Sequence, residues 1–467
     1  MLSEDVLFLP VTELSRLIRT RRLSPVELAE SYLERSRALG PRLNAYVTLT
    51  PDLALQQARA AEKEIAAGKY RGPLHGIPYA AKDLLAVRGY PTTWGARPYL
   101  NQRFDYNATV INKLNSAGAV LLGKAAMIEL AGGMGYRYAS ASATGATKNP
   151  WNLEHWTCGS SSGSGAIMAA GLAAFALGTE TWGSIICPSG FCGITGLRPT
   201  YGRVGRYGAM ALGYSLDKIG PMCRTASDCD LVLQAISGHD AGDAGSLPAP
   251  LARYTGAGAA KKRLRLGWMT NQWKEISPGV HAPAVAARKV LESVPSLAVR
   301  DITLPEGPWE IAAGTVVSVE GATAFRSLIQ SGRVSELNDP LGKIGGYMNE
   351  EISASDLMLA ERIRRILQKK MDDLFEHVDV LVAASLPVTA SRLDANLDVA
   401  LTFADPIGGI GNLCGLPAMS VPCGFDHNNL PVGIQFVGRP LGEAGLVHAA
   451  QAFQSHTEWH AKRPKLS

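Results

Sequence analysis

Three things are scarce in this sequence, and each absence excludes a class of protein. No apolar run is long enough to cross a bilayer; the longest, residues 166–177, stops well short of a membrane-spanning helix. Cysteine never occurs in a C-x-x-C pair. The seven present, at 158, 187, 192, 223, 229, 414 and 423, form an odd and scattered set. That argues against a disulfide framework and a Cys-based zinc site, and suits a reducing cytoplasm. Charge is thin: 19% of residues are charged and the formal net charge is +5 over 467 residues. The basic clusters "RTRR" at 19–22 and "KKRLR" at 261–265 read as solvated faces, so no nucleic-acid partner is expected. The opening "MLSEDVLFLP" carries acids where a secretory leader has a basic region, which predicts a cytoplasmic chain. Of nine histidines, His456 and His460 stand four apart but have no evident third ligand, so no metal site is expected.

What is plentiful is apolar material, 46% of the chain, enough for a large core. Ser24-Pro25 sets a cap residue before a first-turn proline, and the helical pattern behind it runs to Gly40. A second helix is predicted in "PDLALQQARAAEKEIAAG", and a third between Asn107 and Gly118. Short apolar runs suit buried strands: "GIPYAAKD", "AVLLGK", "LRLGWM", "VDVLVAAS", "AMSVPCGF" and "VGIQFVG". A long helix is predicted over about 354–376. Alternation of this kind predicts an α/β fold. Residues 238–260, rich in Gly, Ala, Pro and Asp, read as a loop or boundary.

Two motifs come close to known chemistry and fall short. "GAVLLGKA" at 118–125 nearly matches a phosphate-binding loop, but Ala125 stands where a metal-binding hydroxyl is required. "GSSSG" at 159–163 has the form of a nucleophile elbow around Ser161, but the preceding "NPWNLEHWT" does not read as the strand such an elbow needs.

Three segments taken together say more. Lys82 lies among apolar residues in "GPLHGIPYAAKDLL"; burial lowers a lysine's pKa and fits it for general-base work. "CGSSSGSGA" follows at 158–166, and "GTETWGSIICPSGFCGITGLRPT" at 178–200. In this order they resemble the amidase signature family, which includes fatty acid amide hydrolases, peptide amidases, aryl acylamidases, carbamate hydrolases and the A subunit of the glutamyl-tRNA amidotransferase. The resemblance extends to "GLRPTYGRVGRYG", "GNLCGLPAMSVPCGF" and "LPVGIQFVGRPLGEAGLV", so it covers nearly the whole chain.

The resemblance implies an α/β amidase signature fold, with a large mixed central sheet covered on both faces by helices. It implies one domain over 1–467, a catalytic core at 70–235, and a variable helix-rich insertion at 240–375 that forms part of the substrate cleft. It implies Lys82 as the base, Ser160 as the bridging serine after a cis peptide bond, and Ser184 as the nucleophile of an acyl-enzyme. The turn of Thr181, Trp182 and Gly183 is implied as the oxyanion hole, with Met134, Gly135, Tyr136 and Tyr138 as substrate contacts. No cofactor is expected, and a homodimer is a family-level expectation.

The chain departs from the family pattern G-T-D-x-G-G-S-I-R. Glu180 stands for Asp, Trp182 for Gly and Ile186 for Arg; Cys158 and Ser162 replace glycines around the bridging serine. Trp182 raises a backbone question, because glycine alone takes positive φ cheaply; its ring either lines the pocket or packs into the core. Together with Met134 and Tyr136 it favours a small-molecule aryl or alkyl amide, with carbamates (urethanes) and esters as neighbouring classes. The alternative is a glutaminase A subunit of a glutamyl-tRNA amidotransferase complex.

Overall fold

The computed structural model describes residues 2–252, 263–271, 276–401 and 407–466. Its strands are β1 (Tyr46–Leu49), β2 (Pro78–Lys82), β3 (Val120–Ala125), β4 (Lys148–Asn149), β5 (Asn152–Trp156), β6 (Phe175–Glu180), β7 (Thr195–Arg198), β8 (Lys218–Cys223), β9 (Leu264–Met269), β10 (Leu297–Ile302), β11 (Val380–Ala384), β12 (Ala418–Phe425) and β13 (Pro431–Gly438). All but β4 and β5 join one sheet of eleven strands, in the order β1-β3-β2-β6-β8-β7-β12-β13-β11-β9-β10. The sheet is mixed. β2 runs parallel to β3 and β6, and β9 runs parallel to β10 and β11. The other neighbours are antiparallel.

Both faces are covered, and β11 shows why. Val380, Val382 and Ala384 enter one apolar cluster while Leu381 and Ala383 enter another, as the two-residue period of a strand requires. A strand buried on both sides must be apolar throughout, and this is how the apolar runs in the sequence become strands. The region 240–375 brings β9 and β10 to one edge, along with helices Pro278–Ser293, Trp309–Ala324, Gly342–Glu350 and most of Ala354–His377.

The first long helix, Pro25–Leu43, is capped as its sequence predicts: Ser24 Oγ accepts from the N–H groups of Val26 and Glu27. It does not stop at Gly40, however. It runs on to Leu43 and ends where Asn44 takes a left-handed conformation, which Asn tolerates. The apolar run at 166–177 divides into the end of helix Ser162–Ala170 and the start of β6, with left-handed Gly171 between them. Asn152–Trp156, unpromising as a strand, pairs with Lys148–Asn149 in a hairpin. Its signal is side-chain bonding rather than apolar pattern: Asn149 Nδ2 donates to Phe191 O at 2.9 Å, and its Oδ1 accepts from Trp151 N at 3.1 Å. The proposed boundary loop is irregular over 239–252; residues 253–260, and Lys261 and Lys262 of the second basic cluster, lie outside the described residues.

Candidate active site

β2 and β6 are parallel neighbours, so their C-terminal ends open on the same side of the sheet. In open α/β sheets that is where ligands bind. Lys82 is the last residue of β2 and Thr179–Glu180 end β6. Between them sits the start of helix Ser162–Ala170, pressed close by its small residues. A Cβ on Gly163 would lie 2.4 Å from both Ala126 N and Ala45 O, so no larger residue fits there.

Lys82 is completely buried. Its Nζ donates to Ser160 Oγ at 2.7 Å, to Ser161 Oγ at 3.0 Å and to Thr179 Oγ1 at 3.0 Å. Burial pushes the amine down to about 7, against the opposing pull of the Asp217 and Glu180 charges. The aspartate next in sequence does not neutralise it. Asp83 pairs instead with Lys124, at 2.9 Å and fully buried. Lys124 belongs to the segment that resembles a phosphate loop, and its amine is spent on Asp83, Thr92 Oγ1 and Pro91 O.

Ser160 Oγ donates onward to Ser184 Oγ at 2.9 Å. The Gly159–Ser160 peptide bond is cis. The three side chains singled out from distant segments thus form one hydrogen-bonded chain. With the lysine charged, its donors run from Lys82 to Ser184; once the lysine loses a proton, the same chain can run in reverse. That is the requirement for activating a serine hydroxyl.

Ser184 follows a tight turn in which Gly183 has φ 79°, and a Cβ there would sit 2.8 Å from Cys187 Sγ. Trp182 takes no positive φ, so the bulky residue is accommodated at 182 and the special conformation falls on Gly183. The Trp182 ring is half-buried and packs against the cluster of Ile186, Leu216, Trp309 and Val316. Among the described residues, nothing accepts from the backbone N–H groups of Trp182, Gly183 and Ser184. Thr181 Oγ1 donates to Asp217 Oδ1 at 2.5 Å.

Glu180 secures the far side of the turn. Oε2 accepts from the N–H groups of Ile185 and Ile186 at 2.8 and 3.0 Å, and Oε1 accepts from Arg198 Nη1 at 2.6 Å. Burial would raise this carboxyl, but Arg198 and Lys218 carry it below its ordinary value. The acid at 180 therefore caps helix Ile186–Cys192, which begins two residues after Ser184. Lys218, opposite Glu180 in the sheet, is a third buried lysine; burial pushes its amine down to about 7.

The expected substrate contacts divide. Tyr136 is half-buried at 6.1 Å from the Trp156 ring, beside the Cys158 and Cys187 thiols that flank Ser160 and Ser184 in sequence. Gly135 has φ 78° and faces Leu341. Met134 is buried, its sulfur against Gly346 of helix Gly342–Glu350. Tyr138 is half-buried and its N–H donates to Asp339 Oδ2 at 3.0 Å. Among the described residues no cluster of His, Cys, Asp and Glu could hold a metal ion, and His456 and His460 are not brought to this site. Thr179, Ser161, Asp217, Arg198 and Lys218 were not anticipated as parts of it; Ser161 was weighed only as a nucleophile and instead supports Lys82.

The amidase family model matches residues 27–447. The chain belongs to the amidase family. Two relatives of this amidase are glutamyl-tRNA(Gln) amidotransferase A subunits. One, from Chloroflexus aurantiacus, is 37% identical over 484 residues, covering 98% of each chain. The other, from Acinetobacter baumannii (strain AB0057), is 36% identical over 491 residues, covering 99% of each. Among solved structures, the native peptide amidase from Stenotrophomonas maltophilia is similar, with a TM-score of 0.86 at 29% identity, over 97% of this chain and 98% of that one. The amidase fold anticipated from the motifs is the fold observed, and no helix among the described residues is long and apolar enough to cross a membrane.

Proposed function

We propose that this amidase cleaves a carboxamide C–N bond through an acyl-enzyme on Ser184. The observation that carries the reading is the unbroken chain Lys82–Ser160–Ser184, at 2.7 and 2.9 Å in a buried setting. Neutral Lys82 takes the Ser160 proton as Ser160 takes that of Ser184. Ser184 Oγ then bonds to the carbonyl carbon. The oxyanion is received by N–H groups of the turn at 181–184, typically the largest electrostatic contribution in acyl transfer. Collapse of the tetrahedral intermediate breaks the C–N bond, and the relay returns the proton to the leaving nitrogen. Water then attacks the acyl-enzyme with the same groups moving its proton, releasing a carboxylic acid.

Two substrate classes compete. The A-subunit relatives, alike from end to end at 36–37% identity, support a glutaminase that serves a larger amidotransferase assembly. They favour it over the stand-alone aryl or alkyl amidase that the motifs first suggested. The second reading keeps one observation on its side: Trp182 stands two residues before Ser184 with its ring half-buried, and Tyr136 lies beside the Cys158 and Cys187 thiols, aromatic surface suited to an apolar amide or carbamate. In either reading a part for the region 240–375 in the cleft is supported by the packing of its helix Gly342–Glu350 on the loop that carries Met134 and Gly135.

The test is turnover of free glutamine, an acyl p-nitroanilide and a nitrophenyl carbamate by wild type and Ser184→Ala. Glutamine turnover abolished by the substitution is the expected result. Anilide or carbamate turnover alone, abolished likewise, establishes the second reading. A Ser184→Ala protein as active as wild type removes Ser184 as the nucleophile.

A further inference from the structure

The side chain of Thr181 has a partner that the relay does not require. Its hydroxyl donates to Asp217 Oδ1 at 2.5 Å, and the same carboxylate accepts from Leu212 N at 2.8 Å and Gly213 N at 3.1 Å. Two of these donors belong to the loop before β8 and one to the turn before Ser184. The carboxylate is therefore the joint between the two segments. A cleft of about 220 Å³, lined by Tyr207, Met210, Leu212 and Tyr214, reaches Thr181 and Asp217 from the side of this loop. The turn thus borders an open space on that side, and the Asp217 bond fixes the Thr181 hydroxyl there.

We propose that Asp217 is a positioning residue of the reaction: it fixes Thr181, and through Thr181 the N–H groups that receive the oxyanion. The inference rests on the proposed Ser184 chemistry. Glu180 anchors the turn on its far side, through Ile185 and Ile186. With Asp217 on the near side, the turn is held at both ends by carboxylates. Catalytic N–H groups must stay within a fraction of an ångström of their working positions, and small misplacements cost rate rather than substrate binding.

Asparagine cannot replace this carboxylate. Three donors point at it, and an amide offers one oxygen and a nitrogen that is itself a donor. The charge matters as well. Lys82, Lys218, Arg206 and Glu320 all sense Asp217, and for Lys82 its negative charge opposes the effect of burial.

The test compares Asp217→Asn, Thr181→Val, Thr181→Ser and the double variant Asp217→Asn/Thr181→Val, using whichever amide the wild type turns over, with Ser184→Ala as the control. Asp217→Asn and Thr181→Val are each expected to lower kcat about ten- to a hundredfold with KM little changed. The double variant is expected to be no worse than the worse single one, because the two residues act as a unit. Thr181→Ser, which keeps the hydroxyl, recovers most of the loss. Asp217→Asn moves the acidic limb of the rate profile to lower pH, since Lys82 loses a charge that favours its protonated form; Thr181→Val leaves the limb in place. The limb reports the charge near Lys82; the fall in kcat at constant KM, the non-additive double variant and the rescue by Thr181→Ser are what a purely structural role would not give.

Asp217→Asn with wild-type kcat overturns the inference wherever the limb lies, as do losses that multiply in the double variant. Should Asp217→Asn not fold, equal activity of Thr181→Val and Thr181→Ser overturns it. An active Ser184→Ala protein instead removes the reaction on which the inference rests.

Discussion

Lys82 and Lys124 end up in adjacent strands of one sheet, both fully buried, yet they are held in opposite ways. Lys124 has a carboxylate at 2.9 Å. Lys82 has hydroxyls and a carbonyl around it, with Asp217 and Glu180 felt only as more distant charges. An ammonium surrounded by neutral acceptors gives up its proton far more readily than one in an ion pair. The amine at about 7 lies below its ordinary value, so it is protonated under acidic conditions and becomes a base as pH rises. Activity is therefore expected to rise through about pH 7 to a plateau, read from kcat/KM against pH. Lys82→Met removes the base and the limb together, with a loss of about a hundredfold or more. The sequence showed that Lys82 lies among apolar residues, which was enough to nominate it. It could not show that the adjacent Asp83 turns away to Lys124, because that pairing depends on β2 and β3 lying side by side.

At the scale of elements, the loop at 157–163 looks like a linker and behaves as part of the core. Its small residues allow the start of helix Ser162–Ala170 to touch the backbone of Ala45 and Ala126. Gly163→Ala is expected to destabilise the fold by about 1–3 kcal/mol, because the methyl group meets backbone rather than a movable side chain. It also displaces Ser160 from Lys82; the measurements are a urea midpoint and kcat on the same preparation. The strands were readable because burial on both faces demands continuous apolar runs. The β4–β5 hairpin was not, since asparagine side chains and the buried Trp156 define it rather than any alternation. The Asp217 joint was invisible for a related reason: an acid inside "SLDKIGP" carries no periodic signal, and its partner lies 36 residues away.

For the whole molecule, all seven cysteines are buried free thiols, and burial pushes Cys192, Cys223, Cys414 and Cys423 above the ordinary thiol range. A thiol reagent is expected to label none of the seven rapidly in the native protein and all seven in denaturant, without any reducing agent. Rapid labelling of the native chain would contradict the burial described. The substrate class was the least readable property, because the motifs that carry the resemblance belong to a family of several substrate classes, while the segments around the Lys82–Ser160–Ser184 chain have no pattern of their own. The order of the sheet has a further consequence, for synthesis. The strands that carry Lys82, Glu180 and Arg198 are contiguous in the sheet and are all made early, as β3-β2-β6-β8-β7. β7 then waits with one edge unpaired until β12 is translated from the far end of the chain. A ribosome that stalls between them leaves a reaction centre nearly assembled beside an open, sticky edge, so truncated chains ending near residue 240 are expected in the insoluble fraction.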